Sequence, residues 1–176
     1  MPMSDQFLIL TVIGDDRPGL VGELSAAISA HRGNWLESSM SHLAGKFAGI
    51  VKVAVPAVGA DALKTALNQL AGLKVTAEHS AASAAPAKGR RLKLSLVGHD
   101  RIGIVREVSQ VLAHHAVNVE DLTTHTASAP MSAEIMFHAE IELLAGRDLD
   151  ARALTAELER ISNDLMVDIN LDEKIA

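Results

Sequence analysis

The chain has 176 residues, of which 48% are hydrophobic and 22% are charged, a composition typical of a globular protein with a buried core. It contains no cysteine, which excludes disulfides, thiolate catalysis and cysteine-ligated zinc. The formal net charge of −6 lacks the basic excess that duplex binding normally requires. We therefore expect no direct binding to nucleic acid.

The N-terminal residues MPMSDQFLIL show neither the basic region nor the long apolar region of a secretory signal. No run in the chain approaches the roughly 18 apolar residues of a membrane helix. From these patterns we expect a cytoplasmic protein without membrane contact.

The first half predicts six elements in the order strand, helix, strand, strand, helix, strand. The strands are predicted at FLILTVIG, NWLESSMSHL, AGIVKVAVP and LKVTAE. The first helix carries Leu20, Leu24 and Ile28 on one face, and the second carries Leu63, Leu67 and Leu70.

The second half repeats this order, with strands at LKLSLVG, NVEDLTTHT, AEIMFHAEIEL and LMVDINL. Ile104, Val108 and Leu112 mark one helix of this half. At an offset of 84, nine residues of 14–34 recur, which identifies an internal repeat. The pairs are Gly14 with Gly98, Asp16 with Asp100, Arg17 with Arg101, Gly19 with Gly103, Val21 with Val105, Glu23 with Glu107, Ser25 with Ser109, His31 with His115, and Asn34 with Asn118.

The order βαββαβ, present twice, predicts an α+β protein of two ferredoxin-like domains in tandem. We place the first domain at residues 1–80, a small and proline-containing linker at 81–90, and the second domain at 91–176. In this fold both helices cover one sheet face, which leaves the other face without a helix of its own half. We expect contacts between halves or between chains to cover it, and hence a homodimer.

The repeated turn GDDRPGL, or GHDRIGI, joins the first strand to the first helix of each half. One interpretation is a good helix start, in which Asp16 or Asp100 caps free N–H groups and Pro18 lies in the first helical turn. The other interpretation is a ligand site, because a helix N-terminus attracts a small carboxylate.

Asn34 and Asn118 follow the first helix of each half, where we expect the next strand to start beside the first one. In that arrangement each Asn amide would be near the turn and would offer a donor and an acceptor to a ligand. A purely local role, closing the helix at HRGN and HAVN, explains these residues equally well.

The pattern G-x-D-R-P-G-L-V, with Asn34 following Gly19 by 15 residues, resembles the ACT domain. That family is a βαββαβ regulatory module that commonly binds amino acids at the strand–helix turn, often across a domain interface. Two such domains in one chain resemble the glycine cleavage system transcriptional repressors, which act on a DNA-binding activator rather than on DNA. Carried across by position, the family's ligand-contacting places are Gly14, Asp16, Pro18, Gly19 and Asn34, and in the second half Gly98, Asp100, Ile102, Gly103 and Asn118.

Two residues depart from the family pattern. ACT ligand sites often have Asn where this chain has Asp16 and Asp100, and a carboxylate there favours a ligand's ammonium group over its carboxylate. Ile102 stands in the second half where Pro18 stands in the first, which weakens the pre-organisation of that turn.

The eight histidines do not predict a metal site. His114 and His115 are adjacent on a helix, so their side chains should point about 100° apart and should not share an ion easily. His138 alternates with Glu140 and Glu142 on what we interpret as a solvated strand face. We find no catalytic motif and expect no cofactor.

The resemblance therefore implies a non-enzymatic regulator that senses a small amino acid and modulates transcription through a protein partner, such as a transcriptional activator. Glycine is the ligand that it suggests. Two alternatives stay open, namely an amino-acid-responsive regulatory subunit of a metabolic enzyme and an interaction scaffold that binds no ligand.

Overall fold

The computed structural model describes residues 5–80 and 87–173. The chain forms two compact units, Met1–Ala85 and Pro86–Ala176, called here the first unit and the second unit. Most of the predicted linker, residues 81–86, lies outside the described residues, and the first strand of the second unit begins at Arg90. Each unit has the element order βαββαβ, which confirms the prediction of two ferredoxin-like domains in tandem.

The elements follow the predicted order with small shifts at their ends. The first unit contains β1 (Asp5–Asp15), α1 (Leu20–Ala30), β2 (Asn34–Leu43), β3 (Lys46–Pro56), α2 (Ala60–Asn68) and β4 (Leu73–Ser80). The second unit contains β5 (Arg90–His99), α3 (Ile104–His114), β6 (Asn118–Ser128), β7 (Ile135–Ala145), α4 (Ala151–Leu165) and β8 (Val167–Glu173). Leu70, predicted on the second helix, lies just beyond the end of α2 at Asn68 and packs against the core.

Each unit has one four-stranded antiparallel sheet, in the order β2-β3-β1-β4 and β6-β7-β5-β8. The first strand of each unit is therefore central, paired with strands on both sides. At the end of β1, Gly14 pairs with Phe47, so the turn after β1 lies at the same end of the sheet as the turn of the β2–β3 hairpin.

Each unit buries its own hydrophobic core between the sheet and its two helices. On β1 the alternating residues Leu8, Leu10 and Val12 are at most 1% exposed and pack with the helices. The second unit repeats this arrangement around Leu94 and Leu96. No polar or charged residue among those described is buried. None of the helices in the described ranges is long and apolar enough to cross a bilayer.

The outer strands β2 and β6 carry few buried side chains, and every residue of β6 is exposed. Each of these strands has one irregularity in its pairing with the neighbouring strand. It lies between Trp35 and Glu37 in β2 and between Val119 and Asp121 in β6, which are equivalent positions of the repeat. Such bulges bend an edge strand and interrupt its regular hydrogen-bond ladder.

Glycine is required at the end of each central strand because the neighbouring chain approaches closely. A Cβ at Gly14 would lie 2.4 Å from the carbonyl oxygen of Gly72. The equivalent Gly98 would place a Cβ 2.1 Å from Cγ1 of Val167. The repeated glycine therefore sets the packing of the last strand against the first, whatever else the turn does.

We predict that Gly14→Ala destabilises the first unit by about 1–3 kcal/mol, because backbone must move to admit the methyl group. The matched control is Gly22→Ala on α1, where a Cβ meets nothing within 4 Å. That change should be neutral or stabilise by up to about 1 kcal/mol, because alanine favours the helix. Urea unfolding of both variants tests this, and equal stabilities would contradict the packing argument.

Candidate functional site

The first turn leads from β1 into α1 without a side-chain cap. Gly19 is the N-cap residue, in the left-handed conformation at φ 92° and ψ −5°, and no side chain accepts a hydrogen bond from the first helical N–H groups. The interpretation in which Asp16 caps this helix is therefore wrong, and Pro18 lies in the turn before the helix rather than in its first turn. The N-terminal end of α1 keeps its free donors and its partial positive charge.

Asp16 contacts the β2–β3 hairpin instead of the helix. Its backbone N–H donates to the carbonyl oxygen of Gly45 over 2.9 Å. Its carboxylate lies 3.6 Å from Nδ1 of His42. This explains why the side chain does not reach the helix: the backbone hydrogen bond to the hairpin fixes Asp16 beside β2 and β3.

Arg17 is held by a bidentate interaction with Glu23 on the first turn of α1. The two guanidinium nitrogens donate to the two carboxylate oxygens over 2.9 Å and 2.8 Å. These hydrogen bonds hold the pKa of the Glu23 carboxyl below its usual value. Both side chains remain about 40% exposed, at 41% and 42%, so solvent screens this pair.

A depression of about 150 Å³ opens over the start of α1. This volume is far larger than the roughly 10–15 Å³ that a cavity needs to hold one water molecule. A Cβ on Gly19 would meet nothing within 4 Å, so the space above the helix start is open. The lining residues combine polar and apolar groups: Asp16, Arg17, Gly19, Leu20, Val21, Gly22 and Phe47.

The second turn repeats the backbone geometry of the first. Gly103 is the N-cap residue at φ 98° and ψ −1°, and again no side chain caps the helix. The predicted capping by Asp100 is therefore also wrong. The Asp100 N–H donates to the carbonyl oxygen of Ile135 over 3.0 Å, as Asp16 does to Gly45.

The side chains of the two turns differ. Among the described residues Arg101 has no ion-pair partner, whereas its counterpart Arg17 is held by Glu23. Ile102, which replaces proline, is fully exposed at 101% of its reference area. The second turn thus presents an unengaged guanidinium and an exposed apolar side chain.

Within one unit, the structure does not bring Asn34 or Asn118 near the turns. Asn34 pairs with Ala54 on β3, whereas Gly14 pairs with Phe47 on the same strand. The seven residue steps from 47 to 54 correspond to roughly 24 Å at about 3.4 Å per residue. The expected proximity is wrong because β2 pairs with β3 rather than with β1, and because α1 carries the chain to the opposite end of the sheet. Asn118 pairs with Leu144 and Gly98 with Phe137, which separates the second pair in the same way.

Comparisons with known proteins give the same fold. The ACT domain family model matches residues 6–78. The UPF0237 protein MK1213 of Methanopyrus kandleri is 33% identical over 79 residues, which are 45% of this chain and 82% of that protein. The chain belongs to the ACT-domain family.

Two solved structures are similar to the chain over both of its units. A crystal structure of an unknown protein from Galdieria sulphuraria is 30% identical with a TM-score of 0.84, and the match covers 98% of this chain and 100% of that one. A protein proposed to be a glycine cleavage system transcriptional repressor has a TM-score of 0.73 at 18% identity, covering 98% of this chain and 99% of the other. At that identity the second likeness shows the fold alone.

The sequence patterns alone miss three features of the ACT turns. Phe47 and the β2–β3 hairpin wall the depression, which only the sheet order reveals. Arg17 also lines the depression, and its recurrence as Arg101 in the repeat is the sequence signal that could have identified it as a site residue. Ala44 and Gly45, which close the β2–β3 hairpin in the left-handed conformation, were also not identified from the helix-start pattern.

The histidine pair at the end of α3 differs from the expectation that its side chains diverge. Nδ1 of His114 and Nε2 of His115 lie 3.2 Å and 2.7 Å from the same carboxylate oxygen, Oε2 of Glu157 on α4. Both rings reach it because His115 lies just beyond the last helical residue and uses its far ring nitrogen, while His114 uses its near one.

We predict that Arg17→Met raises the pKa of Glu23 towards the usual value for Glu, since the hydrogen bonds that lower it are lost. Carboxyl ¹³C NMR titration at low ionic strength measures this directly. Because the pKa is lowered in the folded chain, the pair stabilises at pH values above the usual Glu range and loses that effect as the pH falls through the folded value. The same Glu23 pKa in both proteins would contradict the assignment.

Proposed function

We propose that the chain is a non-enzymatic regulator that binds a small amino acid, with glycine the favoured ligand, at the strand–helix turns of its ACT domains. The uncapped helix start at Gly19, repeated at Gly103, carries this proposal. Helix N-termini that lack a side-chain cap need another acceptor, and the ligand's carboxylate is suited to that role.

The two charged ends of an amino acid have separate partners at the first turn. We place the ligand carboxylate on the free N–H groups at the start of α1, where the helix dipole favours it. The ammonium group then faces the Asp16 carboxylate, which is 43% exposed and is not used as a cap. This division explains how an aspartate can occupy the place where the family often has asparagine. The equivalent places at the second turn are Gly98, Asp100, Ile102 and Gly103.

The same geometry favours a small ligand. Phe47, Val21 and Gly22 line the depression of about 150 Å³, which is large enough for a small amino acid beside the helix start. Gly14 and Pro18 shape the turn without offering a charged group to the ligand. A ligand of the size of glycine, serine or alanine satisfies these conditions.

Asn34 and Asn118 cannot contribute to a site at the turn of their own unit. The separation of roughly 24 Å within a unit is too long for one small ligand to bridge. We therefore propose a homodimer in which the turn of one protomer and the asparagine of its partner complete each site. The exposed amide of Asn34 at the start of β2 is free to meet such a partner.

We further propose that the ligand acts on transcription through a protein partner. The net charge of −6 opposes direct binding to DNA, so a protein such as a transcriptional activator is the better target. Ligand binding would shift the chain towards the arrangement that binds the partner better, because a ligand acts through differential affinity for two states.

Calorimetric titration of the tag-free protein with glycine, serine and alanine tests the ligand site. We expect saturable binding of at least one of them, and Asp16→Ala and Asp100→Ala should each weaken binding at their own turn by about tenfold or more, through loss of a charge-assisted hydrogen bond. Asp61→Ala on α2 is the control and should change nothing. If none of the three amino acids gives a heat of binding and none changes the Tm, the proposal is contradicted.

A mixing experiment tests the shared site. In an Asp100→Ala background, the Asp16→Ala and Asn34→Ala proteins should each fail to bind at the first unit. After the two are mixed and allowed to exchange, heterodimers should recover up to about one quarter of the first-unit sites, because each holds one intact turn opposite one intact asparagine. If Asn34→Ala alone binds normally, the asparagine has no part in the site.

A further inference from the structure

We infer that His114, His115 and Glu157 form a binding site for a divalent transition-metal ion of the zinc class on the helical face of the second unit. This site is separate from the strand–helix turns and does not depend on the proposed amino-acid ligand. It joins the end of α3 to the middle of α4.

The donor atoms are already gathered. The ligating nitrogen or oxygen atoms of the three residues all lie within 4.8 Å of one another. In a tetrahedral zinc site with bonds of about 2.0–2.1 Å, neighbouring ligand atoms lie roughly 3.3 Å apart. The Glu157 Oε2 distances of 3.2 Å to His114 and 2.7 Å to His115 are within about 0.6 Å of that spacing, and the two histidine nitrogens, which lie within 4.8 Å of each other, would move closer together around an ion.

The chemistry of the donors selects the class of metal. Two imidazole nitrogens and one carboxylate oxygen suit zinc, cobalt, nickel or copper, whereas magnesium and calcium prefer oxygen ligands. Three protein ligands leave a tetrahedral ion one position for water. The side chain of His114 is 72% exposed, which opens that position to solvent, while His115 and Glu157 are 14% and 21% exposed and anchor the site.

The local charges both favour and oppose a cation. The Glu157 carboxylate supplies negative charge for a cation, and the ion would replace the protons between that carboxylate and the facing nitrogens of His114 and His115. The guanidinium of Arg160 lies 3.6 Å from Glu157 Oε1 and opposes a second positive charge. Its side chain is 71% exposed and can turn away into solvent.

The first unit provides an internal control for this site. The equivalent of His114 is Ala30, and the equivalent of His115 is His31. The equivalent of Glu157 is Ala66, because each directly precedes a buried leucine on the second helix of its unit, Leu158 and Leu67 respectively. The first unit thus keeps one ligand of three, and its His31 ring contacts the carbonyl oxygen of Ala27 at 2.8 Å instead. If any histidine at a helix end bound metal, both units would bind an ion. The proposed site predicts that only the second unit does.

The test titrates Zn²⁺ into the tag-free, chelator-treated full chain in competition with a chromophoric chelator. We expect one ion per chain, and Co²⁺ in its place should give the visible absorption of a tetrahedral site. His115→Ala and Glu157→Gln should each weaken binding by at least about tenfold, because each removes a direct ligand. Glu157→Gln keeps the side-chain shape, and circular dichroism checks that each variant is folded.

His31→Ala and His125→Ala are the matched controls and should bind as the parent chain does. His125 stacks on His138 with ring centroids 4.7 Å apart, which makes this pair the main competing location for an ion. Arg160→Gln should tighten binding, since it removes the opposing charge. Failure of the parent chain to take Zn²⁺ from the chelator would overturn the inference. So would loss of binding in His125→Ala with retention in Glu157→Gln.

Discussion

Burial of one face of the central strand, against two helices that lie on the same side of the sheet, is the constraint on which each unit depends. Leu8, Leu10 and Val12 point into the core, and their alternation fixes which residues of β1 face the other way. Because both neighbours pair with this strand over most of its length, its last residues also fix the position of β4 on one side and of the β2–β3 hairpin on the other. The position of the turn after β1 is therefore set by β1 itself, by its pairing with β3 and β4, and by the hydrogen bond from Asp16 to Gly45 in the hairpin.

The fold could be predicted because periodicity and repetition are local signals. Strand alternation, helix faces such as Leu20, Leu24 and Ile28, and the offset of 84 residues are all visible along the chain. The site could be predicted only in part. Gly19 is at the helix start as expected, but the path of Asp16 depends on a hydrogen bond to Gly45, a residue of a hairpin formed later in the chain.

Sheet order and side-chain convergence were beyond the sequence patterns. The position of Asn34 follows from β3 separating β2 from β1, and no motif around Asn34 encodes that order. The contact of His114 and His115 with Glu157 joins residues 42 or more positions apart. An argument from helical angles alone failed there, because the helix ends between the two histidines.

The paired bulges in the edge strands β2 and β6 bear on how a duplicated chain folds correctly. Two halves with the same topology can in principle exchange equivalent strands during synthesis, which is a characteristic failure of tandem repeats. The bulges keep both edges irregular, but they lie at the same place and cannot distinguish one half from the other. Discrimination must come from the side chains, and here the strands differ: NWLESSMSHL in the first half and NVEDLTTHTAS in the second share little beyond their opening asparagine. The outermost strands have diverged while the central turn has been kept in both halves, so each half has an edge strand with its own sequence.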